Sequence, residues 1–226
     1  MKSATTFALG VALLLAIACS VEAYDFFYFV QQWPGSYCDT SSGCCYPTSG
    51  KPQSDFAIYG LWPYYANGTY PSNCDSNNAF NATKIQDIQS SLQTNWPSLN
   101  CPSSNSSSLW ASEWATHGTC SETVLDEHAY FQDALSFKNQ TFLLQCLKSK
   151  AISPNGGLYM LDSIINGITS CLGHVPGIGC NKDSSGRYQL YLVYLCINQS
   201  GTLLMDCPVY PSSGCGSASA VYFPSF

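Results

Sequence analysis

Positive charge is the scarcest property of this 226-residue chain: Lys and Arg number 8 against 14 Asp and Glu, with 3 His and a formal net charge of −6. A protein that coats nucleic acid needs lysine and arginine to meet phosphates, so this composition excludes that role, though not an enzyme with a local basic cleft. Beyond residue 23 no apolar run is long enough to span a membrane, and no membrane partner is expected. Paired Cys-x-x-Cys knuckles are missing and the histidines are scattered, so neither a metal site nor a cofactor is expected. Internal repeats are absent too, and the one low-complexity stretch, Ser103 to Ser108, reads as a polar loop.

The N-terminus does carry an apolar run. Lys2 precedes a stretch from Phe7 to Ala18, and small residues follow up to Val21-Glu22-Ala23, the pattern of a cleaved secretory signal. Residues 24–226 then form one domain with a substantial core, bound for an extracellular or vacuolar destination. Of 13 cysteines only Cys19 falls in the leader, which leaves an even set and the disulfide framework of a secreted protein. Asn-x-Ser/Thr sequons at Asn67, Asn81, Asn105, Asn139 and Asn198 predict surface positions open to glycosylation.

Asp25 to Trp33 is aromatic and apolar on both faces, as a buried strand is, and Phe56 to Leu61 reads as another. Ile85, Ile88 and Leu92 predict a helix over Thr83 to Leu92 with Thr83 as N-cap. Leu109 to His117 fits a helix with Trp110, Trp114 and His117 on one face, Glu113 four residues before His117, and Gly118 as terminator. Helical patterns also cover Asp126 to Ser136, Gln140 to Lys148 and Gly157 to Leu172. Tyr188 to Asn198 predicts a long strand that turns through Gln199-Ser200-Gly201 into Thr202 to Cys207. Strands and helices mix without strict alternation, which makes α+β the fold class.

Two runs carry the chemistry: Phe56-Ala57-Ile58-Tyr59-Gly60-Leu61-Trp62-Pro63, and Trp110-Ala111-Ser112-Glu113-Trp114-Ala115-Thr116-His117-Gly118-Thr119-Cys120. Through them the chain resembles the ribonuclease T2 family, and the plant S-like ribonucleases in particular, with similarity over essentially all of residues 24–226. The family's first motif usually reads F-T/G-I-H-G-L-W-P and its second W-x-H-E-W-x-K-H-G-T-C. The resemblance implies a central antiparallel sheet with packed helices. It also implies a metal-free reaction in which the ribose 2′-hydroxyl attacks phosphorus and a 2′,3′-cyclic phosphate forms.

That reaction needs a base, an acid and positive charge at the phosphorane. His117 and Glu113 match the family's catalytic base and its neighbouring acid. Tyr59 stands where the family has the histidine that protonates the leaving oxygen, Ser112 replaces a phosphate-holding histidine, and Thr116 replaces the lysine that stabilises the transition state. Tyrosine, with an ordinary pKa of about 10, is a poor acid beside histidine. Losing one proton-transfer group costs on the order of 10²- to 10⁴-fold and losing one electrostatic donor about 10²- to 10³-fold.

The resemblance also implies a base pocket formed by Gln32, Leu109 and Trp110, although Trp62, Trp110 and Trp114 read equally well as core. Binding of RNA, the ancestral substrate, is expected to be weak or absent. His128 and His174 read as solvated side chains. Implied disulfides are Cys38–Cys44, Cys45–Cys101, Cys74–Cys120, Cys180–Cys215 and Cys196–Cys207. Cys146 and Cys171 fall outside the usual pattern, and their joint presence predicts an added bridge. Three functions stay open: an inactive homologue accumulated as a storage protein, which the substitutions favour; a weak acid endoribonuclease; and a defence-related binding protein.

Overall fold

The computed structural model describes residues 24–212 and 214–226; the leader, with Cys19, lies outside them. Two strands of mainly apolar and aromatic character set the architecture. β1 (Phe26–Gln32) is buried at every position. It pairs antiparallel with β2 (Ala57–Tyr64) on one side and with β5 (Tyr188–Asn198) on the other. Side chains pack against it on both faces of the sheet, which is why no polar alternation marks it in sequence.

β5 is the hub of the sheet. It also pairs with β4 (Gly177–Lys182) and β6 (Leu204–Met205), and it touches β7 (Ala220–Phe223), which leads on to β3 (Gly157–Met160). The β5–β7 pair is parallel, so the sheet is mixed and not wholly antiparallel, although every other pairing is antiparallel.

On one face Phe27, Phe29 and Trp33 meet Ile58, Leu61, Val193 and Leu195 under the helices. Among the described residues six α-helices accompany the sheet: α1 (Pro34–Cys38), α2 (Gln89–Asn95), α3 (Ser107–Thr116), α4 (Glu127–Gln140), α5 (Leu143–Lys148) and α6 (Leu161–Leu172). Asp126 caps α4, its carboxylate accepting from the Ala129 backbone N–H at 2.8 Å, and Tyr130 locks the helix to β2 by donating to the Leu61 carbonyl at 2.7 Å. The opposite sheet face gathers Phe26, Tyr28, Val30, Leu192 and Cys196.

Three predicted helices are corrected. Thr83 to Leu92 is a 3₁₀ turn over Ala82–Ile85 followed by α2, and the cap is Asn81, whose side chain accepts from the Thr83 N–H. Gly157–Met160 is a strand because β7 offers it a ladder, and helix begins only at Leu161. Gln140 ends α4, so the next helix starts at Leu143. Gly118 does not end α3 by a left-handed turn; a Cβ there would lie 2.2 Å from the Trp114 ring, so the position is small because the indole covers it.

Disulfides join Cys38–Cys44, Cys45–Cys101, Cys74–Cys120, Cys146–Cys171, Cys180–Cys215 and Cys196–Cys207. Cys146–Cys171 staples α5 to α6 across a sequence separation of 25. Asn67, Asn81, Asn105 and Asn139 are exposed and Asn198 half-buried. Among the described residues no helix is long and apolar enough to cross a membrane.

Candidate functional site

Two irregularities of the sheet build the site. In the β1–β2 ladder Val30 faces Gly60 and Gln31 faces Ile58, so Tyr59 is an extra, unpaired residue. In the β4–β5 ladder Gly179 faces Leu192 and Cys180 faces Leu190, which leaves Tyr191 as the extra residue of β5. A bulge re-aims a side chain and reverses the in-and-out alternation beyond it. Ile58 and Leu190 accordingly point into the helix-side core, whereas Tyr59 and Tyr191 join the opposite face, their rings 6.1 Å apart.

α3 brings the second set of groups. Its carboxylate, Glu113, accepts from the Trp62 indole N–H at 3.0 Å. Gly60 makes that bond possible, because a Cβ there would stand 2.1 Å from the indole nitrogen and 2.9 Å from the carboxylate oxygen. Burial pushes the Glu113 carboxyl up to about 7, against a smaller opposite pull from the indole bond.

His117 caps α3, its N–H bonded to the Glu113 carbonyl and its ring 5.3 Å from that of Trp62. The imidazole Nδ1 is buried with no hydrogen-bond partner. Burial alone draws its pKa down to about 4, so the ring is neutral over the physiological range.

A polar cavity of about 170 Å³ opens beside these groups, with Gln32, Tyr37, Tyr59, Asn100, Leu109 and Glu113 on its walls. A second hollow of about 330 Å³ adjoins it, sharing Ser98, Asn100 and Leu109 and adding Ser104, Ser108 and Ser112. The fold thus collects Gln32, Tyr59, Leu109 and Glu113 around one cavity and leaves Ser112 at the exposed rim. Thr116 and His117 are half-buried and line neither hollow, the His117 ring packing beside that of Trp62.

Trp110 does not belong to this group. It is fully buried and donates to the Trp96 carbonyl at 2.9 Å, so its ring serves the core and offers no stacking face to a ligand.

Tyr37, Asn100 and Tyr191 are site residues that the sequence reading missed. Tyr37 donates to the Asn100 side-chain oxygen at 2.5 Å, fixing both at the cavity mouth. A hint of Tyr191 lies in β5 itself, where apolar alternation breaks between Leu190 and Val193. His128 and His174 sit elsewhere, paired with Asp87 and Asp206. Among the described residues no lysine or arginine lines either hollow, and no cluster of three metal-ligating side chains occurs.

Comparison with known proteins adds the kinship. Residues 24–207 match the model of the Ribonuclease T2 family. The chain is 50% identical to the extracellular ribonuclease LE of Solanum lycopersicum, over 100% of both chains. It is 33% identical to a ribonuclease-like storage protein of Panax ginseng, over 78% of this chain and 72% of that one. The crystal structure of RNase NT in complex with 5′-AMP superposes with a TM-score of 0.86 at 50% identity, over 90% of this chain and 99% of the other.

Proposed function

The chain belongs to the ribonuclease T2 family, and on that premise we propose that it no longer cleaves RNA and serves as a stored protein of the plant secretory pathway. The observation that carries this reading is the absence of positive charge where a phosphodiester would lie. Tyr59, Ser112 and Thr116 occupy the acid and the two cationic positions of the family's motifs. His117 is held neutral by burial.

Cleavage starts with loss of the 2′-hydroxyl proton, and neutral His117 is in the right form to take it. The next demands go unmet. The phosphorane carries two negative charges over its equatorial oxygens, and neither a serine nor a threonine hydroxyl supplies the opposite charge that lysine or imidazolium would. The leaving 5′-oxygen needs a proton, and a tyrosine hydroxyl surrenders one far less readily than an imidazolium. The intact scaffold and six disulfides fit a role that needs durability and not turnover. Nucleotides of the class bound by RNase NT are held weakly or not at all.

One observation favours residual cleavage instead. Glu113, with its carboxyl near 7, carries a proton at acid pH and lines the cavity beside Tyr59, and relatives that match at 50–51% identity are named ribonucleases. A soluble-RNA assay from pH 4 to 8 separates the two readings: storage predicts no signal above a His117→Ala blank. A storage role further predicts a protein that dominates tissue extracts and declines during regrowth. We also assign residues 24–226 to one domain behind a cleaved leader, and N-terminal sequencing of the mature protein should begin at Tyr24.

A further inference from the structure

The sheet face that holds Tyr59 carries an unbroken row of rings. Tyr37 lies 6.3 Å from Tyr191, Tyr191 6.1 Å from Tyr59, Tyr59 5.6 Å from Trp62, and Trp62 6.5 Å from Tyr194. The row continues from Tyr194 to Tyr28 at 5.6 Å, to Tyr64 at 4.7 Å and to Tyr70 at 5.1 Å. Tyr28 is buried, the rest are half-buried, and Tyr70 at the far end is 52% exposed. From Tyr191 to Tyr64 successive planes are inclined by 60° to 77°. The surface therefore offers ring edges and hydroxyls, and lacks the parallel slot that would clasp a flat base.

At its near end the row enters the polar cleft, since Tyr37 and Tyr59 are both ring members and cavity walls. Gln32, 5% exposed, lines the same cavity with its side-chain oxygen unpartnered. Beyond it lie the Asn100 amide and the hydroxyls of Ser98, Ser104, Ser108 and Ser112. Hydroxyls that rotate to donate or accept match a ligand whose own groups do both. An anion entering this cleft would lose its hydration without meeting a counter-charge.

We propose that the ring row and the adjoining cleft form one binding site for an uncharged, linear oligosaccharide. Sugar CH and hydroxyl groups run along the accessible ring edges and phenol oxygens of the row and Trp62, with Tyr28 buried beneath them. Sugar hydroxyls reach Gln32, Asn100 and the serines at the cleft end. Tyr59 links the two halves, being the wall of the cavity and the neighbour of Trp62, so the residue that removes the acid also closes the row.

Titration calorimetry on the mature chain tests this with cellohexaose, xylohexaose and chitohexaose against uridine, adenosine and 5′-AMP. The expected result is binding of at least one hexasaccharide, weaker binding of its disaccharide, and no comparable binding of the nucleosides or nucleotide. Tyr59→Ala and Tyr70→Ala should each weaken the saccharide about tenfold, a loss of about 1.4 kcal/mol. Tyr70, at the exposed end, keeps the test valid if the Tyr59 variant fails to fold. No binding across the panel, tighter binding of a nucleoside or nucleotide, or wild-type affinity in both variants would overturn the proposal. Since RNA cleavage is not the readout, neither outcome bears on whether the protein is a nuclease.

Discussion

Removing Glu113 and removing His117 should tilt the pH dependence of stability in opposite directions. Glu113 has a carboxyl raised by burial from 4.5 to about 7, so the folded state binds its proton where the unfolded state has released it. Its contribution is intact below pH 4.5 and is lost as pH rises toward 7. His117 is lowered from 6.5 to about 4, so the unfolded state binds a proton that the folded state refuses, and its contribution is lost as pH falls below 6.5.

Integrated between pH 4.5 and 6.5, each shift amounts to about 2 kcal/mol, with opposite sign. In the wild type the two slopes cancel. Glu113→Gln leaves His117 alone, and stability relative to wild type should rise by about 2 kcal/mol from pH 4.5 to 6.5. His117→Asn leaves Glu113 alone and should fall by about the same amount. Urea unfolding at the two pH values reads this directly. The slope is the test and not the absolute level, because each substitution also changes packing. Wild-type slopes in both variants would mean that these groups titrate at their ordinary values and that the site is not dry, refuting the electrostatic picture.

Gly60→Ala should separate Trp62 from Glu113 and overpack the bulge, lowering stability by about 1–3 kcal/mol in a thermal melt. Tyr59→His alone should restore little cleavage on a ribonuclease gel, since Ser112 and Thr116 still leave the phosphate unpaired. The triple variant Tyr59→His, Ser112→His, Thr116→Lys should exceed it by about 10²-fold or more, and full activity from the single change would show that the cationic positions matter less than argued. The double variant Cys146→Ser, Cys171→Ser should cost about 3 kcal/mol in urea, because the bridge closes a loop of 25 residues. Unchanged stability would mean that the α5–α6 packing does not need it.

The sheet's centre is legible because β1 is buried throughout and β5 at most positions, and such strands are written mainly in aromatic and apolar residues. The two bulges are not, since one inserted residue alters parity without altering composition; Tyr59 drew notice through its motif, and Tyr191 had none. Gly157–Met160 passed for helix because its four residues carry no period of their own and are held by β7, over sixty residues away. β4 and β7 escaped notice for a related reason: glycine and cysteine in Gly177–Lys182, and only four residues in Ala220–Phe223, give weak strand signals. Trp110 shows the limit of a motif. Its helical face was right, yet whether that face looked to core or cleft depended on Trp96, which accepts its indole N–H from elsewhere in the chain.

The rate at which the purified wild-type protein cleaves soluble RNA, with His117→Ala prepared alongside as its blank, tests the central claim most directly. The account predicts two indistinguishable traces from pH 4 to 8. Strong cleavage by the wild type and none by the variant would contradict it.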